Sequence, residues 1–161
     1  AGAYGDDDQG SYSGSAYVFT SNSGSWVQAD KVVASDGAAS DKFGSYKTMA
    51  GLSSSSFAVG GYLDDDEGSN SGSVYVFTSN SGSWVQTDKL VASDEVASDY
   101  FGYACAGVSS SILLVGMYKD DDDGSASGSA YVFTSNSGSW VQADKVVASD
   151  GSADDIFGVA V

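Results

Sequence analysis

The chain has no histidine, no arginine and no proline, and its only cysteine is Cys105. Without histidine there is no Ser–His–Asp triad, no Cys–His pair and no histidine-ligated zinc. Six lysines stand against 22 acids, a formal net charge of −16. That excludes the clustered Lys and Arg footprint of a nucleic-acid binder and disfavours contact with an anionic membrane surface. Cys105 cannot form an intrachain disulfide. It lies in the apolar run Tyr-Ala-Cys-Ala-Gly and reads as a buried, inert thiol rather than a reactive one. No apolar run approaches the length of a helical membrane span. No secretory leader is visible, and one could lie upstream, because the sequence begins inside a repeat. No segment combines a 3.6-residue apolar period with caps, so essentially no helix is expected. The lack of proline leaves every strand assignment open.

What is present is repetition. Residues Ser13–Gly37 return without a change at Ser127–Gly151, and a near copy occupies Ser71–Glu95. Tyr17, Tyr75 and Tyr131 are 58 and 56 residues apart, as are Trp26, Trp84 and Trp140. The pairs Phe43-Gly44, Phe101-Gly102 and Phe157-Gly158 keep the same phase. A period of that length suits a four-stranded propeller blade. Serine and glycine make up about a third of the chain, a linker-like share. The hydrophobic content of 42% and the regular placement of the aromatics argue instead for a core.

One unit shows the strands. Phe101–Val108 is the predicted first strand and Ile112–Tyr118, a continuous apolar run, the second. Gly128–Thr134 is the third, with Tyr131 and Phe133 on one side and Ala130 and Val132 on the other. Trp140–Ala148, of mixed polarity, is the fourth. Turn residues separate all four. The expected fold class is all-β: a β-propeller-like array of four-stranded antiparallel blades, about three repeats long. The units are 1–42 (strands two to four of a blade), 43–100, 101–156, and 157–161 as the first strand of a further blade. Closed propellers use about 4–8 blades. Roughly three blades therefore point to a ring shared between chains, to a fibre, or to a window of a longer array. Apolar strand edges at Ile156–Val161 and Ala1–Tyr4 predict joining to further copies, as a homo-oligomer or filament.

The units resemble the FG-GAP repeats of integrin-α-type β-propellers. The resemblance rests on the Phe-Gly pairs, on the second-strand triplets Ala58-Val59-Gly60 and Leu114-Val115-Gly116, and on the Ala/Val-Tyr-Val-Phe strands. The core Gly5–Phe19 is similar to the secreted microbial and algal form. The resemblance implies an extracellular protein serving adhesion, ligand binding or surface structure. Two departures stand out. Tyr4, Tyr62 and Tyr118 replace the usual proline of the GAP segment. The alternating Asp calcium loop between first and second strands is absent, so that calcium site is not implied.

Up-and-down strand order sorts the loops onto two rims. One carries only serine-rich turns. The other carries 19 of the 22 acids, including Asp6, Asp7, Asp8, Asp64, Asp65, Asp66, Glu67, Asp120, Asp121, Asp122 and Asp123. Carboxylates so dense repel one another, and a hard cation such as Ca²⁺ would relieve that repulsion. Adjacent Asp side chains point in different directions, however, and a solvated acidic rim is the alternative. Asp41, Asp99 and Asp155 precede Phe-Gly and are expected to bond their own turns. Asn22, Asn80 and Asn136, with Trp26, Trp84 and Trp140, form a candidate sugar-binding set. Hairpin-turn chemistry for the Asn loops and blade packing for the tryptophans are the competing readings. No paired acids stand in an apolar pocket, so no enzyme is expected. The expected function is an extracellular structural or adhesive repeat protein that self-associates. The alternative is a multivalent lectin recognising glycans.

Overall fold

The computed structural model describes all 161 residues, with eleven strands and no helix. The strands are β1 (Gly2–Ala3), β2 (Ser15–Asn22), β3 (Ser25–Val32), β4 (Met49–Ser53), β5 (Ser56–Gly61), β6 (Ser73–Asn80), β7 (Ser83–Leu90), β8 (Ala104–Ser109), β9 (Ile112–Met117), β10 (Ser129–Asn136) and β11 (Ser139–Val146). They form three antiparallel sheets, β1-β2-β3, β4-β5-β6-β7 and β8-β9-β10-β11, each a simple meander. This is the all-β, propeller-like array that the period requires.

Local chemistry explains the hairpin between third and fourth strands. Ser23 and Gly24 both have positive φ, 52° and 85°. Ser81-Gly82 and Ser137-Gly138 repeat that geometry. Two central residues of positive φ match the twist of a tight hairpin. Within each hairpin the register slips once. Val76 faces Asp88, but Phe77 faces Gln86, leaving Thr87 as a bulge. The same bulge falls at Ala29 and Ala143.

The blades pack face to face by size. Val74 and Val76, on one face of β6, share a core with Phe101, Tyr131 and Phe133 of the next blade. Ala16, Val32 and Ala34 share one with Phe43, Tyr75 and Phe77. The small side chains of one blade thus receive the aromatic side chains of the next, as the period-2 alternation of Ala/Val-Tyr-Val-Phe allows.

The Phe-Gly pair corrects one expectation. The first strand begins at Ala104, not at Phe101, and the pair lies in the turn ahead of it. Phe101 is fully buried against Tyr131 and Phe133, while its N–H donates to the Ser71 carbonyl of the preceding blade at 2.7 Å. Gly102 lies against β5 so closely that a Cβ on Gly60 would stand 2.2 Å from its carbonyl oxygen. Gly2 meets Gly44, and Gly116 meets Gly158, in the same way. At 157–161 the Phe157–Gly128 bridge forms without a following strand.

Candidate functional site

The loops β5–β6 and β7–β8, with their counterparts in the other blades, share one rim. On it the carboxylates converge on lysine. The register sets Tyr75 directly opposite Lys89, as it sets Tyr17 opposite Lys31 and Tyr131 opposite Lys145. Each ammonium therefore lies over its cross-strand ring, 5.1–5.4 Å from the centroid. Lys89 Nζ is 2.9 Å from Asp64, 2.7 Å from Asp36 of the preceding blade, and in contact with Asp66. Lys145 repeats this with Asp120 at 2.9 Å, Asp122 at 2.6 Å and Asp94 of the preceding blade at 2.7 Å. Lys31 holds Asp6 at 2.9 Å and also touches Asp8.

The consecutive Asp residues divide by task. The first of each run, Asp6, Asp64 and Asp120, accepts a serine hydroxyl from the start of the third strand: Ser15, Ser73 and Ser129. Asp64 and Asp120 are buried, so they need that compensation. The third, Asp8, Asp66 and Asp122, also reaches the lysine. The second turns away: Asp7 accepts the Tyr12 N–H at 2.7 Å and Asp65 the Asn70 N–H at 2.6 Å. Asp121 and Asp123 are exposed. No group of three or more acids is disposed to hold a metal ion. The cation these carboxylates share in the structure is a lysine ammonium.

The electrostatics follow. Burial opposes charge on Lys89 and Lys145, but their carboxylate partners more than offset this and raise both above the usual lysine range. Burial likewise pushes Asp36 and Asp94 up, but the lysine contacts outweigh it and hold both low. Glu95 is different. Burial pushes it up to about 7; Oε2 accepts the Ala92 N–H at 2.8 Å, and Oε1 has no partner. Burial also raises Asp41 to about 6, against the Ala38 N–H donated to it at 2.6 Å. Asp99 and Asp155 bond their own turns through Val96 and Ser152. Cys105 is buried, and burial lifts its thiol to about 12, which leaves it unreactive.

A second contact joins the blades at the outer strands. Gln86 accepts the Ser35 N–H at 2.9 Å and donates to Ser35 Oγ at 3.0 Å. Gln142 and Ser93 repeat both bonds at the same distances. Sequence reasoning missed the roles of Lys31, Lys89, Lys145, Gln86 and Gln142. The available signal was one lysine and one glutamine per repeat at fixed positions in an otherwise acidic chain.

The candidate sugar set is dispersed. Asn22, Asn80 and Asn136 sit at exposed hairpin tips, each accepting the hydroxyl of the serine that follows. Trp84 is half-buried on Phe57 with ring centroids 4.8 Å apart, and Trp140 packs against the larger core. Trp26 is 74% exposed.

The FG-GAP repeat family model matches residues 26–77 and 84–133. Among curated proteins, no significant match is found. With three in-phase Phe-Gly turns, each bridged to the blade before it, the chain belongs to the FG-GAP repeat family.

Proposed function

We propose that the chain is an extracellular structural and adhesive repeat domain that self-associates blade to blade. FG-GAP repeat proteins are typically extracellular and non-catalytic, and no helix here is long and apolar enough to cross a membrane. The observation that carries the reading is the complementarity of the two outer faces. Phe77 and Phe133 are each 2% exposed between blades, whereas Phe19 of the first sheet is 44% exposed. Val32 and Leu90 are each 4% exposed, whereas Val146 of the last sheet is 40% exposed. One face is thus large and aromatic, the other small and aliphatic. They match as adjacent blades within the chain match. Lys31 and Gln28 on the first blade likewise answer Asp150 and Ser149 on the last, by analogy with the internal pairs. Such a contact is heterologous and gives a ring or a filament.

Sedimentation velocity at micromolar concentration tests this. Oligomers or filaments are expected, and Phe19→Asp or Val146→Asp should reduce them to monomers. A monomeric wild-type chain with saturable binding on a glycan array would transfer the assignment to the lectin reading.

A further inference from the structure

We propose that the tyrosines stacked across the blade junctions are sites of oxidative dityrosine cross-linking. Tyr4 and Tyr62 follow the second strands of two blades and meet Tyr46 and Tyr103 of the next, with ring centroids 5.5 and 5.2 Å apart. Tyr103 also lies 4.4 Å from Tyr118, at an interplanar angle of 53°. The two junctions reach this contact by different routes. Tyr46 stands three residues after Phe43, and Tyr103 only two after Phe101. The pairing thus survives a change of local register.

These rings are accessible as well as paired. Tyr46 is 75% exposed, and Tyr4, Tyr62, Tyr103 and Tyr118 are half-buried. Tyr100, half-buried, belongs to the same cluster, 5.6 Å from Tyr118 and 6.1 Å from Tyr62 between ring centroids. The remaining tyrosines are placed differently. Tyr75 and Tyr131 are buried beneath lysines, and Tyr12 is exposed with no aromatic neighbour. At centroid separations of 4.4–5.5 Å ring edges touch.

The chemistry needs a one-electron oxidant, here hydrogen peroxide acting through a haem peroxidase. Each of two phenols loses one electron and its hydroxyl proton. The resulting phenoxyl radicals form one carbon–carbon bond between ortho positions. The two ortho hydrogens then move to the oxygens and restore both phenols. The pair has lost two hydrogen atoms, and one peroxide has become two waters. The product would staple one blade covalently to the next. It rests on the rings alone and does not require self-association.

Peptide mapping tests the proposal. The dilute folded chain is treated with peroxide and peroxidase and then cleaved after lysine. Peptide 43–47 should appear joined to 1–31 through Tyr46 and Tyr4. Peptide 48–89 should be joined to 90–119 through Tyr62 and either Tyr103 or Tyr100. Peptide 90–119 should also appear short of two hydrogens through Tyr118 and either Tyr103 or Tyr100. The double variant Tyr100→Phe/Tyr103→Phe keeps the ring packing; it should abolish the last two products and retain the first. Coupling through Tyr12 at comparable yield, the same product pattern from urea-unfolded chain, or adducts only between chains would overturn it.

Discussion

Lys89 Nζ lies 2.7 Å from Asp36 Oδ2, and the two residues belong to different blades. The same ammonium neutralises Asp64 of its own blade, whose side chain is only 5% exposed. One cation therefore supports a buried carboxylate and a junction together.

The two halves of that contact should differ in cost. Lys89→Met strands Asp64 as an uncompensated buried charge and should destabilise by about 3–5 kcal/mol. Asp36 is 38% exposed at its side chain, so Asp36→Asn should cost only about 0.2–1 kcal/mol. Urea unfolding of both variants checks this; equal costs would contradict the asymmetry.

Two glycines offer a matched comparison. A Cβ on Gly60 would meet the Gly102 carbonyl at 2.2 Å, while one on Gly51 meets nothing within 4 Å. Gly60→Ala should force the junction apart at a cost of about 1–3 kcal/mol or more. Gly51→Ala should be neutral or stabilising by up to about 1 kcal/mol. Thermal melting of the two variants distinguishes them.

Glu95 predicts a pH dependence of definite sign. Burial raises its folded-state pKa from 4.5 to about 7, so the folded chain binds the proton more tightly than the unfolded chain. This group's contribution to stability grows as pH falls from about 7 to 4.5 and is lost as pH rises back through that window. The slope is at most about 1.4 kcal/mol per pH unit. Asp36 and Asp94, held low, act in the opposite direction only at more acid pH. Asp41, raised to about 6, keeps a slope of the same sign below that pH, so Glu95→Gln should remove the slope between about pH 6 and 7 and leave a shallower one below; an unchanged slope between pH 6 and 7 would assign the dependence elsewhere.

Calcium should have little effect. The convergent carboxylates already face Lys31, Lys89 and Lys145. The melting temperature should therefore agree between millimolar Ca²⁺ and chelator. A clear rise in calcium would reveal an ion bound to the folded state.

Much of the architecture was legible in the letters. The period located the blades, alternation in Ala-Tyr-Val-Phe separated the large face from the small one, and strand direction sorted the acids onto one rim. The junctions were harder to read. That Lys89 reaches Asp64 depends on its register opposite Tyr75 and on the bulge at Thr87, neither of which a repeat pattern displays. Phe101 looked like strand because it is apolar, but its role is to turn the chain and fill the core under Tyr131.

The central claim is that separate copies meet through the joint that unites blades within one chain. Inside the chain Gln86 and Ser35 form that joint, with Nε2 and Oγ 3.0 Å apart. Gln28 and Ser149 are their counterparts on the two outer faces. A chain carrying both Gln28→Cys and Ser149→Cys, with Cys105 buried and unreactive, should give a ladder of disulfide-linked oligomers on mild oxidation. Either single variant should give no more than dimers. A double variant that stays monomeric, or behaves as the single variants do, would contradict the claim.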